Sequence, residues 1–134
     1  MSRVSRLWER LGASVISSDA AFHDAMVARM SHLPHLLSSA LAIEAASAGK
    51  GAVDFSGKGL ADMTRLAGGS PSMWAEISGM NAEHILRAIG EYKGLLDELE
   101  RSLKDAGGQR VRGFLDKGAE AKRELYGEEN SRRG

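Results

Sequence analysis

The sequence predicts an all-α protein: a helical bundle organised on one long heptad-bearing helix, with one short N-terminal strand as the exception. Three observations point there. Ile85, Ile89, Tyr92, Leu96, Leu99 and Leu103 step by four, three, four, three and four residues, which is a heptad seam. Apolar residues between His23 and Leu41 (Met26, Val27, Met30, Leu33, Leu36, Leu37, Leu41) repeat at near-helical spacing and predict a largely buried face. The 16 glycines are scattered and fall mostly at segment ends, where they stop helices rather than interrupt them.

The elements follow in order. Ser2 to Leu11 reads as a short helix with Val4, Leu7, Trp8 and Leu11 on one face and Gly12 as its stop. Ala13 to Ser17 (ASVIS) is short enough, and apolar enough, for a strand. A lone strand leaves its backbone unsatisfied, so it would pair with another chain or domain. Asp19 is placed to cap the next helix. Pro34 lies inside that helix, lacks an amide donor and crowds the carbonyl of Met30, which predicts a kink or break near His32 and Leu33. The helix then resumes through LLSSALAIEAASA. Gly49 to Gly59 reads as a glycine-rich loop and Leu60 to Ala67 as a short helix ending at Gly68-Gly69. Ser70-Pro71 forms a cap and first-turn pair for a helix reaching about Ala106, bending at Gly79. A last helix spans about Arg110 to Tyr126. Residues 1–127 are expected to form one domain, with 128–134 as a disordered tail.

Composition narrows the function classes. The 134 residues can bury roughly two-thirds of the unfolded surface, enough for one core. Lys plus Arg and Asp plus Glu number 18 each, so neither a nucleic-acid face nor a polybasic membrane surface is implied. Cysteine is absent, which excludes disulfides and thiolate metal sites. No apolar run approaches a membrane span, and the N-terminus lacks a signal-peptide centre. A cytoplasmic protein is expected. No Gly-Lys pair is followed by Ser or Thr, and there is no GxGxxG, so neither a P-loop nor a nicotinamide site is present in the sequence.

Three of the four histidines, His23, His32 and His35, crowd the stretch around Pro34, with Asp24 beside the first. A metal site would use them, but no HExxH-like spacing supports one, and no metal is expected. The alternatives are buried histidines bonded to backbone, or a pocket in which His35 and Ser31 donate hydrogen bonds to a ligand. Arg65 sits in an apolar stretch. It would either pair with Asp62 or Glu76 or clamp a carboxylate with its forked guanidinium. Met73 and Trp74 would pack a core, or wall a pocket and strengthen an anion's contact with Arg65 by excluding water.

Taken in series, His23-Asp24, Ser31-His32-Leu33-Pro34-His35, Asp62-Met63-Thr64-Arg65-Leu66-Ala67, Met73-Trp74 and Asn81 resemble the C-terminal helical domain of the prephenate/arogenate dehydrogenase family. The resemblance runs from about Trp8 through the last helix. It implies an intertwined homodimer and a share in the oxidative decarboxylation of prephenate to 4-hydroxyphenylpyruvate, a step of tyrosine biosynthesis. By that resemblance Arg65 binds a substrate carboxylate, while His35 and Ser31 line the pocket. Met73 and Trp74 wall it, His23 and Asp24 belong to a polar network beneath, and Asp62 joins an ionic gate. The family's NAD or NADP and its catalytic histidine belong to a Rossmann domain not in this sequence. No cofactor and no catalytic residue are therefore expected in this chain, and it should be silent alone.

Leu60 stands where the family often has Phe. The sequence would be an excised domain or a stand-alone relative, partnered by a separate Rossmann domain or chain. The alternative function is a stand-alone carboxylate-binding, interaction or regulatory module. A repurposed enzyme with acid–base chemistry at His35 is a third reading.

Overall fold

In a computed structural model, residues 3–105 and 108–130 are described. Their regular elements are helical: α1 (Arg3–Arg10), α2 (Ala20–Val27), α3 (Leu33–Ser47), α4 (Lys58–Thr64), α5 (Pro71–Met80), α6 (Ala82–Leu103) and α7 (Gln109–Asn130). No helix of the described residues is long and apolar enough to cross a membrane. The chain divides into two compact units, residues 1–88 and 89–134, and the division falls inside α6.

Several ends follow from local chemistry. Asp19 caps α2 as its spacing predicts, accepting the Phe22 N–H at 2.9 Å. Gly12 follows α1 at φ 86°, a left-handed conformation that favours glycine. Pro71 occupies the first turn of α5, but the Ser70 hydroxyl meets Ser72 Oγ at 3.1 Å instead of capping.

Four expectations are corrected. The strand at Ala13 to Ser17 does not form; the segment is irregular and exposed, because no neighbouring strand completes its backbone bonds. Of the kink or break expected before Pro34, the break does not occur. The turn before the proline widens into a π-helix, Ala28–His32, with the Leu33 N–H reaching back five residues to the Ala28 carbonyl. A wider turn absorbs the missing amide donor without ending the helix. It also rotates the faces on either side, since each residue accounts for about 100°. Met30 is thereby left 64% exposed, not on the buried face. The bend expected at Gly79 falls at Asn81, whose φ of −122° and ψ of 28° separate α5 from α6. The 49–59 loop contains a short 3₁₀ turn, Ala52–Phe55.

In the first unit α3 is central. It packs against α4 and against a 3₁₀ turn, Arg65–Gly68, that follows α4. The buried Ser38 hydroxyl accepts the Ala67 N–H at 3.1 Å and ties that turn to α3. Ala28, Leu33, Ile85 and Ala88 form the apolar core, with His35, Ser38 and Asn81 buried among the polar residues. In the second unit, Lys117 of α7 donates to Glu98 of α6 at 2.9 Å. That ammonium holds the Glu98 carboxyl below its ordinary range. Gly127, at φ 71° and ψ 169°, interrupts α7. Of the expected tail, residues 131–134 lie outside the described residues, as do Ser2 of the first expected helix and Ala106 of the long one.

Candidate functional site

The site is assembled on α3, the Arg65–Gly68 turn and α5. His35 lies one residue past Pro34 and is 6% exposed. Its imidazole stacks on the Trp74 indole, with ring centroids 3.7 Å apart and planes 14° from parallel. His32 meets the same indole edge-on, at 6.1 Å and 79°. A parallel and an edge contact on one aromatic ring both suit its quadrupole. Together they hold Trp74 in one orientation.

Gly69 makes that stack possible. A Cβ there would lie 2.8 Å from His35 Cε1 and 3.0 Å from Trp74 Nε1. Its φ is −68°, open to any residue, so space rather than backbone conformation requires glycine. Beside the stack is a cavity of about 350 Å³, bounded by His35, Ser39, Ala67, Gly69, Trp74 and Ser78 among others. The Ser78 hydroxyl is buried and has no hydrogen-bond partner among the described residues. Buried polar atoms are nearly always paired, so this hydroxyl is available to a polar group entering the cavity.

Arg65 begins the 3₁₀ turn and is exposed, as is Asp62 one turn earlier. Among the described residues no ion pair joins Arg65 to Asp62 or to Glu76. The Ser38–Ala67 bond nevertheless fixes Arg65's turn to the helix that carries His35. Met73 is half exposed beside Trp74. Ser31 is exposed within the π turn, and among the described residues no hydrogen bond joins it to His35. His23 Nδ1 and Asp24 Oδ1 are 3.0 Å apart, a largely solvated pair.

His32 and His35 share the Trp74 indole while His23 pairs with Asp24, so the three clustered histidines do not converge on one point. Among the described residues no group of three His, Asp or Glu side chains could hold a metal. The structure thus brings His35, Trp74 and the Arg65 turn together, and leaves Ser31, His23 and Asp62 toward solvent. Gly69, Ser78 and His84 were missed from sequence. A glycine before Ser-Pro reads as a helix stop, and a serine on an apolar helix carries no signal of being unpaired.

An all-α, pocket-bearing domain is what this fold and site define. The chain belongs to the family described as prephenate dehydrogenase, dimerization domain, whose model matches residues 19–117. Among curated relatives, a prephenate dehydrogenase of Lactococcus lactis is 30% identical over 115 residues, which is 84% of this chain and 32% of the relative. Two solved structures share the fold. A Synechocystis arogenate dehydrogenase superposes with a TM-score of 0.80 at 26% identity, covering 92% of this chain and 46% of that one. The A. aeolicus prephenate dehydrogenase, in complex with hydroxyphenyl propionate and NAD+, superposes with a TM-score of 0.82 at 26% identity, covering 91% and 44%. The chain therefore spans about a third of the length of the curated relative and under half of each solved one.

Proposed function

We propose that this chain supplies the dimerisation and substrate-closing part of a prephenate dehydrogenase-type oxidoreductase, acting on prephenate or a closely related cyclohexadienyl carboxylate. One observation carries the reading. A buried imidazole is stacked under an indole, beside a cavity, on the helix whose Ser38 hydroxyl holds by one hydrogen bond a turn that presents an arginine with no ion-pair partner among the described residues. An arginine fork suits a carboxylate. The hydroxyphenyl propionate bound by the A. aeolicus relative is an aromatic carboxylate of matching chemistry.

In this proposal Arg65 holds a substrate carboxylate and His35 donates a hydrogen bond from under Trp74. Met73 and Trp74 exclude water from the ion pair and so strengthen it. Ser31 orients substrate at the rim, the His23–Asp24 pair belongs to the polar network beneath, and Asp62 gates the approach to Arg65. The second unit leaves the α6 seam open beyond Ile89, and a second copy of the chain covers it in a homodimer.

The described residues contain no strand and no strand–glycine–helix turn of the kind that cradles a pyrophosphate. Hydride acceptance from the ring carbon that bears the hydroxyl, with loss of carbon dioxide, belongs to a Rossmann domain in the same or another chain.

Calorimetric titration with prephenate or 4-hydroxyphenylpropionate tests the reading. The chain should bind, and Arg65→Ala should weaken binding about 10- to 100-fold, the loss of a charge-assisted pair. Equal affinity in Arg65→Ala would remove the clamp from the proposal.

A further inference from the structure

Two imidazoles and a backbone carbonyl meet at one amide. Asn81, 9% exposed, is the single residue between α5 and α6. Its Nδ2 lies 2.8 Å from the Asp24 carbonyl oxygen and 3.3 Å from His32 Nδ1. Its Oδ1 lies 2.9 Å from His84 Nδ1.

The hydrogen-bonding capacities of these groups allow one solution. A carbonyl oxygen only accepts, so the amide must turn its NH₂ toward Asp24. Its oxygen then faces His84. That oxygen also only accepts, so His84 Nδ1 carries the ring proton. The second amide proton points at His32 Nδ1, which must be bare. The proton of neutral His32 is therefore on Nε2. Exchanging either tautomer would set donor against donor or acceptor against acceptor inside a part-buried site, at the cost of unpaired polar groups.

We infer that Asn81 is a positioning residue of the candidate site. It locks His32 and His84 in opposite tautomers and holds His32 edge-on against Trp74, the ring that covers His35. The geometry runs from the α5–α6 junction through His32 to the indole, so the pocket wall is braced by a residue that touches no ligand. This deepens the pocket reading and rests on it only for its effect on ligand. The tautomers themselves follow from the hydrogen bonds.

The site also explains a sequence feature. Asn81 ends α5 where an asparagine is one of the few residues with both a donor and an acceptor end. Asp would offer only acceptors to the Asp24 carbonyl and to His32.

The test is a long-range proton–nitrogen correlation spectrum of the full chain with ¹⁵N-labelled histidine, recorded about a unit and a half above the histidine range so that the rings are neutral. His32→Gln and His84→Gln assign the two signals. His84 should show the Nδ1–H pattern, the less common form for a free imidazole, and His32 the Nε2–H pattern. His84 in the Nε2–H form, or His32 averaging between forms, would overturn the inference. In Asn81→Asp, His32 should switch to Nδ1–H to meet the carboxylate while His84 keeps its form; an unchanged His32 would equally overturn it. Should Asn81→Asp fail to fold, the wild-type tautomers decide the question alone.

A ligand arm separates the two readings. Asn81→Asp should weaken 4-hydroxyphenylpropionate binding about tenfold with Arg65 intact, the loss of one positioning hydrogen bond, and unaltered binding would overturn the bracing role. A wild-type chain that shows the expected tautomers but binds no aromatic carboxylate would overturn the pocket reading instead.

Discussion

The buried apolar residues, Ala28, Leu33, Ile85 and Ala88, all belong to the first unit, residues 1–88, whereas among the described residues of the second, residues 89–134, no apolar side chain is buried, although both units leave large apolar side chains exposed. One helix shows both behaviours. Ile85 of α6 is 4% exposed, while Leu96, on the same seam, is 48% exposed. Leu103 follows it outward, as do Leu115 and Leu125 of α7. A heptad seam thus states that a row must be covered, but not whether the same chain or another covers it. Exposed ion pairs occur in both units, Arg87–Glu83 in the first among them, but the contacts around the candidate site lie in the first. The first unit holds the aromatic stack, the Ser38 link and the Asn81 junction. The second has ion pairs at its surface, such as Lys117–Glu98.

The comparison breaks most easily at Leu96. In a single chain this side chain is half in water, and a surface change there should cost within about 0.5 kcal/mol. If a second copy covers the seam, Leu96→Glu places a charge in an apolar interface. The dimer should then weaken by about 100-fold or more by sedimentation. A monomeric wild type, or a variant that dimerises as well as wild type, would show that the seam is not the interface.

A smaller effect is expected in the first unit. Gly69→Ala forces a methyl against His35 and Trp74 and should cost about 1–3 kcal/mol, as overpacking does. Near-ultraviolet circular dichroism should report a disturbed indole. An unaltered spectrum and melting point would mean the stack can yield at no cost.

The smallest effect lies in the second unit. Lys117 lowers the Glu98 carboxyl, so the pair stabilises the folded state above the ordinary carboxylate range. That contribution is lost as the pH falls through the lowered folded value. In Lys117→Met the Glu98 carboxyl should return toward its ordinary range in an NMR titration, and the acid-side loss should shrink. The pair is exposed, so added salt should mute the difference. A Glu98 titration unmoved by the substitution would assign the shift to another charge.

Much of the site was legible as residue types and little of it as geometry. His35, Trp74 and Arg65 stood out because polar or bulky groups sat in apolar stretches, and the structure joins them through Gly69 and the Ser38–Ala67 bond. Ser31 stood out equally, yet the π turn leaves it outside. The proline was visible, but whether the chain breaks at it or widens a turn depends on the packing of α3 around it.

By itself the sequence determined the helices and most of their ends: Asp19 as a cap, Gly12 as a stop, Pro71 in a first turn, and the seam of α6. These rest on interactions within a few residues, which the order of side chains specifies directly. Only the tertiary structure decided that ASVIS forms no strand, that the long helix divides at Asn81, and that His32 and His84 share one amide. The amide of Asn81 reaches a carbonyl 57 residues away. Such a contact exists only once the chain has folded back on itself, and its donor–acceptor logic cannot be posed before the partners are side by side.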